Sequence, residues 1–459
     1  PAYSAPGASP RRVPSAISME DAPAEAEPLC VYARLRPPAG AARGEVQVRR
    51  RFGQAKAIQV RNMEFALDWV FDEETTQEEL YEMAASERID WVLSGFSATL
   101  IAYGQTGSGK THSMIGPKSV MESGSLDVAD PDELGLIPRA CQHLFDELYN
   151  REAQTSIVVQ CGYVEVYNDR LNDLLGDGRN LKLRERKRGL AVDGLTFELT
   201  PTADDVMSAL WRGNAQRTVA AMKMNSRSSR GHAILYLCIE EFNGDDGKRM
   251  GKLTLVDLAG MESSKKSFAV DGPSNDPRRR EEAKHINTSL CALASVVAAL
   301  SSGGAGVGGA HVPYRDSKLT RLLQDSLVDG CSKTAVFVTL RTEPENIEET
   351  IATLRFAQRA KAVQVHVRPN EVESEMDPRG LLAQLAHSDL ELAAARGIIT
   401  NLEQALSRAE AQVRDQLTLS RGAKAVGGSP LGGRAAAELG IGGPGGTDQS
   451  QGAGGAVRS

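Results

Sequence analysis

One glycine-rich segment has the residue types and spacing needed to hold a polyphosphate. Residues 104–111 read GQTGSGKT and match the pattern G-x-x-x-x-G-K-[ST] at every fixed position. The glycines allow backbone N–H groups to turn toward phosphate oxygens, where a Cβ would obstruct them. Lys110 can reach the β- and γ-phosphates, and the Thr111 hydroxyl can ligate Mg²⁺. The segment therefore predicts a nucleoside triphosphate site.

The segments around this loop predict the elements that position it. Apolar residues 96–103 have the character of a strand, and a helix is expected from Lys110 with its positive dipole end toward the phosphates. The other predicted strands are Ile157–Val166, Ala233–Glu240, Lys252–Leu258 and Thr334–Leu340. The predicted helices are Leu80–Leu93, Ala203–Trp211, Arg280–Leu300 and Ile347–Ala362, and Ile115–Leu134 is predicted to be a long acidic loop. This alternation predicts an α/β sheet covered on both faces.

Two further polar segments suit a phosphate site. Residues 225–232 (NSRSSRGH) place hydroxyls and an arginine just before a predicted strand, and residues 257–262 (DLAGME) follow an apolar strand. An aspartate at a strand end can hold Mg²⁺ through water, and the glycine that follows can offer its N–H to a γ-phosphate. Each segment alone would equally suit a polar turn or cap. Their order after the phosphate loop favours a nucleotide site.

Composition excludes several classes of protein. The 459 residues carry a net charge of -7, so the chain is not a globally basic nucleic-acid binder. The six cysteines form no C-x-x-C pair, which indicates neither a zinc site nor a disulfide framework and favours a reducing intracellular compartment. No apolar run approaches the roughly 18 residues needed to span a bilayer.

Composition also divides the chain. Residues 1–28 are predicted to be disordered, 29–367 to form the folded domain, 368–380 a neck or linker, and 420–459 a glycine-rich disordered tail. Residues 381–419 are predicted to be helical. Apolar residues recur there every seven positions at Leu385, Leu392, Ile399, Leu406 and Val413. The pattern indicates either a short coiled coil or an amphipathic helix packed on its own domain.

From about Leu29 to Val372 the chain resembles the kinesin motor domain. NSRSSRGH is similar to the switch I pattern N-x-x-S-S-R-S-H of that family, and DLAGME is similar to its switch II pattern D-L-A-G-S-E. Further matching segments are RLRP at 34–37, GLIPR at 135–139, YVEVYN at 163–168, HVPYRDSKLT at 311–320 and TLRFA at 353–357. The resemblance implies a kinesin-type P-loop NTPase, with a mixed central sheet and helices on both faces, followed by a helical or coiled-coil segment.

The resemblance also implies roles for individual residues. The implied catalytic residues are Lys110, Ser228, Ser229, Arg230, Gly260 and Glu262, with Arg230 and Glu262 pairing across the switches to position the attacking water. The implied Mg²⁺ residues are Thr111, Ser229 and, through water, Asp257. The implied ATP contacts are Arg34, Arg36, Pro37, Gly104, Gln105, Thr106, Gly107, Ser108, Gly109, Lys110, Thr111 and His112. His112 equally suits an ordinary position on a helix surface.

The implied microtubule-binding face, called the track-binding face below, is a run of basic residues on an otherwise acidic protein. Its residues are Lys265, Lys266, Arg278, Arg279, Arg280, Lys284, Arg315, Lys318 and Arg321. Tubulin presents an acidic surface, which such a patch would complement. The alternative is a solvated charged loop.

The sequence departs from the family at three positions near these sites. Gly231 and Met261 stand where the family usually has serine, and both flank the implied Arg230–Glu262 pair. Backbone freedom at Gly231 and bulk at Met261 are expected to slow hydrolysis. Thr288 stands where the family usually has lysine, which removes one positive charge near the track.

The resemblance implies a microtubule-stimulated ATPase that uses ATP and Mg²⁺ and moves along microtubules, expected to be plus-end-directed. The expected partners are tubulin and a second chain, in a homodimer or heterodimer through 381–419, with no nucleic acid and no membrane span. The expected location is the cytoplasmic microtubule cytoskeleton, and both a spindle and a cilium or axoneme fit. The alternative is a static microtubule-binding scaffold with slow or absent turnover. A depolymerising kinesin ranks lower, because residues 40–53 lack a distinctive basic-acidic tip. Nothing in the sequence identifies a cargo.

Overall fold

The elements of the fold are described for most of the predicted folded domain. The computed structural model describes residues 26–38, 45–51, 53–122, 126, 129–151, 156–186, 189–222, 231–242, 248–261, 277–302, 311–327, 332–367 and 370. Its strands are β1 Ala26–Pro28, β2 Cys30–Leu35, β3 Val46–Arg51, β4 Gln54–Val60, β5 Met63–Ala66, β6 Trp69–Phe71, β7 Ser97–Gly104, β8 Ser156–Tyr167, β9 Arg170–Asp173, β10 Arg179–Arg186, β11 Gly189–Asp193, β12 Phe197–Leu199, β13 His232–Phe242, β14 Lys248–Asp257, β15 Lys333–Leu340 and β16 Gln364–His366. Its helices are α1 Gln77–Ala84, α2 Ser86–Leu93, α3 Lys110–Met114, α4 Lys118–Glu122, α5 Leu136–Asn150, α6 Ala203–Met222, α7 Pro277–Ser301, α8 Lys318–Leu322, α9 Gln324–Leu327 and α10 Ile347–Lys361. The predicted helix 381–419 and both predicted disordered tails lie outside the described residues.

A mixed sheet forms the centre of the described structure. Eleven of the described strands join in the order β11-β10-β9-β8-β13-β14-β7-β15-β2-β6, with β12 paired to β8. β8, β13 and β14 pair antiparallel, whereas β14, β7, β15, β2 and β6 run parallel. β3, β4 and β5 form a separate three-stranded sheet. The prediction of a mixed α/β sheet is confirmed.

The strands are buried on both faces, because helices cover the sheet from either side. Along β7, Ile101 and Tyr103 enter the core under α7 and α10, whereas Leu100 and Ala102 enter the core under α1, α2, α5 and α6. This alternation is the two-residue period of a strand. It produces the two-sided covering that the sequence predicts.

Three predicted elements differ from the structure. The helix predicted as Ala203–Trp211 continues eleven residues further, to Met222. The predicted helix Leu80–Leu93 is two helices, because the backbone leaves helical geometry at Ala85 between α1 and α2. The predicted acidic loop Ile115–Leu134 contains α4 and a 3₁₀ turn at Pro131–Glu133. The Asp130 side chain accepts from the Asp132 N–H and so caps that turn, which begins with a proline.

None of the described helices combines the length and the apolar character that crossing a bilayer requires.

The aromatic packing between β2 and β15 gives a test of the core. Phe337 is 1% exposed, and its ring stacks on Tyr32 with the centroids 5.4 Å apart. We expect Phe337→Ala to lower the free energy of unfolding by about 3–5 kcal/mol, because it removes buried surface and leaves a cavity. Urea denaturation measures this change. Tyr149→Ala is the matched control, since Tyr149 is 90% exposed, and an equal loss in both variants would contradict the assignment of the core.

Candidate functional site

The phosphate-loop residues connect β7 to α3. Gly104 ends the strand with φ 151°, and Gly109 precedes the helix with φ 102°. Ser108 Oγ donates to the Gln105 carbonyl at 2.8 Å, which closes the turn of the loop. Lys110 is 7% exposed, and its Nζ donates to the carbonyl oxygens of Gly104 and Gln105 at 3.0 and 2.9 Å. The lysine is thus folded over the loop that would hold a phosphate. The predicted helix from Lys110 is only five residues long.

Asp257 lies beside this loop because β7 and β14 are parallel neighbours. Ala102 of β7 is in register with Asp257 at the end of β14. Thr111 Oγ1 donates to Asp257 Oδ2 at 2.6 Å. The other carboxylate oxygen, Oδ1, is buried and has no hydrogen-bond partner in the described part of the chain. A hydroxyl and a carboxylate with free acceptor capacity are hard oxygen donors of the kind that Mg²⁺ prefers, so this pair fits the metal.

The DLAG segment packs directly on the phosphate loop. The Leu258 and Met261 N–H groups donate to the carbonyls of Ala102 and Gly104 at 3.3 and 3.2 Å. A Cβ on Gly260 would lie 2.7 Å from the backbone nitrogen of Thr106, a distance that real Cβ atoms do not adopt. Glycine at this position therefore allows the segment to lie against the loop.

Met261 fills a space next to this contact. Its Sδ accepts a hydrogen bond from the Tyr103 hydroxyl at 3.5 Å. The Tyr103 ring stacks on Phe356 of α10, with the centroids 4.0 Å apart. The larger side chain that replaces the usual serine is thus packed at the edge of the core.

Gly231 accommodates a buried charged pair. A Cβ at this position would lie 2.7 Å from Glu165 Oε1. Arg217 Nη2 donates to the Gly231 carbonyl at 3.0 Å, and its Nε lies 3.6 Å from Glu165 Oε1. Asn172 Nδ2 donates to the other carboxylate oxygen at 3.3 Å. The absence of a side chain at Gly231 therefore lets Glu165 approach the end of the predicted switch I segment. The sequence analysis did not identify Glu165 or Arg217 as part of the site.

A second polar cluster lies around Arg34 of β2. Arg34 Nη1 donates to Gln77 Oε1 at 2.6 Å and to Ser113 Oγ at 3.0 Å. Gln77 Nε2 in turn donates to the His112 carbonyl at 2.8 Å. Burial lowers the pKa of Arg34 to about 10. Arg36 Nη1 donates to the Gly107 carbonyl. Gln77 and Ser113 were not predicted from the sequence.

One cavity is lined by residues of the phosphate loop, the DLAG segment and the cluster around Arg34. It has a volume of about 910 Å³, enough for a nucleotide. The predicted site residues that line it are Arg34, Arg36, Pro37, Thr106, Gly107, Ser108, Gly109, Lys110, Thr111, His112, Asp257 and Gly260. Gly104 and Gln105 lie directly before these loop residues but are not part of the lining. His112 lies at the cavity wall, which favours the contact interpretation over an ordinary surface position.

Several predicted residues lie outside the described part of the chain. They are Ser228, Ser229, Arg230, Glu262, Lys265 and Lys266. Their flanks are described: Gly231 precedes β13, and Met261 follows the DLAG segment. Arg278, Arg279, Arg280 and Lys284 fall in the first turns of α7.

The remaining predicted basic residues lie beside a hairpin that the sequence analysis overlooked. Arg321 Nη2 pairs with Glu185 Oε1 of β10 at 2.9 Å, and Lys318 Nζ donates to Asn180 Oδ1 at 3.4 Å. The Arg315 side chain is 78% exposed. β10 has the sequence RNLKLRER, so its alternating basic residues were a signal that could have identified this strand as part of the same face.

The last described strand of the domain and the first described residue of the predicted neck, Asn370, are both held by hydrogen bonds. β16 pairs antiparallel with β1. Asn370 donates its backbone N–H to the Gly95 carbonyl at 2.9 Å, and its Nδ2 donates to the Met250 carbonyl at 2.8 Å. Asn370 is the one residue of the predicted neck 368–380 that the structure describes, and these bonds hold it against the domain.

Comparison with known proteins identifies the family of this domain. A model of the kinesin motor domain matches residues 36–363. Kinesin-related protein 5 of Dictyostelium discoideum is 40% identical over 327 residues, which are 70% of this chain and 31% of that protein. The kinesin heavy chain of Neurospora crassa is 37% identical over 342 residues, 74% of this chain and 34% of that protein. The chain thus spans about a third of the length of these curated relatives.

A solved structure leads to the same conclusion. The structure of a fast kinesin aligns with a TM-score of 0.65 and 35% identity, and the alignment covers 76% of this chain and 95% of the other. The family match covers the phosphate loop, the DLAG segment and both core faces. The chain belongs to the kinesin motor domain family.

Proposed function

We propose that this domain hydrolyses ATP under stimulation by microtubules and uses the cycle to move along them. The observation that carries the proposal is the arrangement of Lys110, Thr111, Asp257 and Gly260 around one cavity. These groups lie at or directly after the ends of two neighbouring parallel strands, β7 and β14, and a nucleoside triphosphate bound there would contact both segments. The family match supports the same activity.

The chain would act on ATP by positioning and by electrostatics, since phosphoryl transfer requires little covalent chemistry from a protein. Lys110 would leave its two carbonyl partners and neutralise the β- and γ-phosphates. Thr111 and Asp257 would hold Mg²⁺, which supplies neutralisation of charge on the phosphate oxygens. Gly260 would direct its N–H at the γ-phosphate while it lies on Thr106.

The residues of both switches that lie outside the described part of the chain would complete the site. We assign Ser228 and Ser229 to closure on the γ-phosphate and the metal. Arg230 and Glu262 would pair and orient the attacking water. Each of these two residues has a neighbour in the chain that is held by a hydrogen bond. The Gly231 carbonyl accepts from Arg217, and the Met261 N–H donates to the Gly104 carbonyl.

The basic face would bind the track. The charged residues at the start of α7, together with Arg315, Lys318 and Arg321, would complement the acidic surface of tubulin. We propose plus-end-directed movement, because the neck follows the domain and its one described residue, Asn370, is hydrogen-bonded to Gly95 and Met250. A dimer through residues 381–419 and a place on the microtubule cytoskeleton complete the proposal.

Steady-state ATP hydrolysis with and without taxol-stabilised microtubules tests the activity. We expect microtubules to stimulate hydrolysis by the wild-type domain. We expect Lys110→Ala to lower the stimulated rate by about a hundredfold or more, the usual cost of removing one preorganised charge-stabilising group. Lys118→Ala is the matched control, since Lys118 is exposed on α4 and does not line the cavity.

The same assay separates a motor from a static scaffold. Tight microtubule binding without stimulated hydrolysis would overturn the motor proposal. It would favour a static linker, with Gly231 and Met261 as the first positions to restore to serine.

The base side of the site can be tested through Gln77. We expect Gln77→Leu to weaken Mg·ADP binding about five- to thirtyfold, because the bond that orients Arg34 is lost and a partly buried charge is left underpaired. Isothermal titration calorimetry measures the affinity. Gln59→Leu is the matched control, because Gln59 accepts a bond of the same length, 2.6 Å, from Arg49 on the separate sheet. Unchanged affinity for Mg·ADP in Gln77→Leu would contradict the assignment of Arg34 to the nucleotide site.

A further inference from the structure

His232 is a buried histidine that joins three segments of the domain. It begins β13 directly after Gly231, and it is 2% exposed. The Ala259 N–H donates to its Nδ1 at 3.0 Å. On the other side of the ring, Nε2 lies 2.8 Å from Oγ of Ser289 on α7.

The direction of these hydrogen bonds follows from the chemistry of the ring. A ring nitrogen that accepts from a backbone N–H carries no proton, so the neutral imidazole has its proton on Nε2 and donates it to Ser289. Burial, followed by the charges of Lys110 and Arg217, lowers the pKa of His232 to about 3. The neutral ring therefore persists near neutral pH, and the chain runs from Ala259 through His232 to Ser289.

The two ends of this chain lie in functionally different places. Ala259 is between Asp257 and Gly260, in the segment that packs on the phosphate loop. Ser289 is 6% exposed on α7, five residues after Lys284, or about 7.5 Å along a helix. The first turns of that helix carry four of the predicted track-binding residues. A displacement of α7 would thus act on the Ala259 N–H through one ring.

We propose that His232 is a positioning residue that couples the Asp257–Gly260 segment to α7 through the Ala259–His232–Ser289 hydrogen-bond chain, and that microtubule stimulation of ATP turnover passes through it. The proposal rests on the proposed function of the domain. In the described part of the chain the ring is hydrogen-bonded to Ala259 and Ser289, neither of which lines the cavity, so its role is to set where the Ala259 backbone lies.

Ser289→Ala tests this coupling, because it removes the acceptor on α7 and leaves the ring in place. We expect unstimulated hydrolysis to stay within about twofold of wild type. At saturating microtubules we expect kcat to fall about three- to tenfold, the value of one hydrogen bond, with little change in the KM for microtubules. Ser326→Ala is the matched control, since Ser326 is a buried serine whose Oγ lies 2.9 Å from Thr99 Oγ1 in the core.

A second variant separates coupling from simple destabilisation. His232→Asn keeps a side-chain oxygen near the Ala259 N–H but is too short to reach Ser289. We expect it to reduce the stimulated kcat as Ser289→Ala does, and the double variant to show no further loss, because both substitutions break the same chain. Urea denaturation of all four variants corrects for stability.

The outcomes are distinct. Full stimulation in Ser289→Ala, an equal loss in Ser326→Ala, or additive losses in the double variant would overturn the coupling while leaving the proposed function intact. Absence of microtubule stimulation in the wild-type domain would overturn the proposed function and this inference together.

Discussion

The site depends on the parallel pairing of β7 and β14. This pairing brings the phosphate loop and the DLAG segment to the same edge of the sheet, where Thr111 donates to Asp257 and Gly260 lies on Thr106. The contact is close because Gly260 has no side chain, and a Cβ there would collide with both the backbone and the side chain of Thr106. A group bound to the loop would therefore alter the packing of the DLAG backbone, and a displacement of that backbone would alter the position of the loop.

The helices extend this contact in two directions. α7 lies over one core face and is joined to the DLAG backbone through His232. α1 lies over the opposite face and contributes Gln77, which accepts a hydrogen bond from Arg34 at the end of the cavity proposed for the base. The structure thus connects the phosphate-loop end of the cavity to a predicted track-binding helix, whereas the Arg34 end is bordered by a helix on the other core face. This division suits a protein in which the state of the bound phosphates is transmitted to the track-binding helix, whereas the base contributes to the affinity for the nucleotide.

Local sequence patterns were sufficient to predict the strands that lead to the phosphate loop and to Asp257. The strand before the phosphate loop and the strand that ends at Asp257 could be predicted, because each is an apolar run that stops at a polar motif. The Arg34–Gln77 bond could not be predicted, because its partners are 43 positions apart and meet only through tertiary packing. The break at Ala85 was missed for a different reason, because the apolar periodicity continues across it. Glu165 near Gly231 likewise depends on the pairing of β8 with β13.

The central claim is that the phosphate site and the track-binding face are coupled, and cosedimentation with microtubules tests it most directly. Coupling between two sites is reciprocal, with typical values of about 1–3 kcal/mol, or five- to 150-fold in affinity. We predict that the domain binds microtubules at least about fivefold more tightly with a non-hydrolysable ATP analogue than with ADP. Equal microtubule affinity in the two nucleotide states would contradict the account.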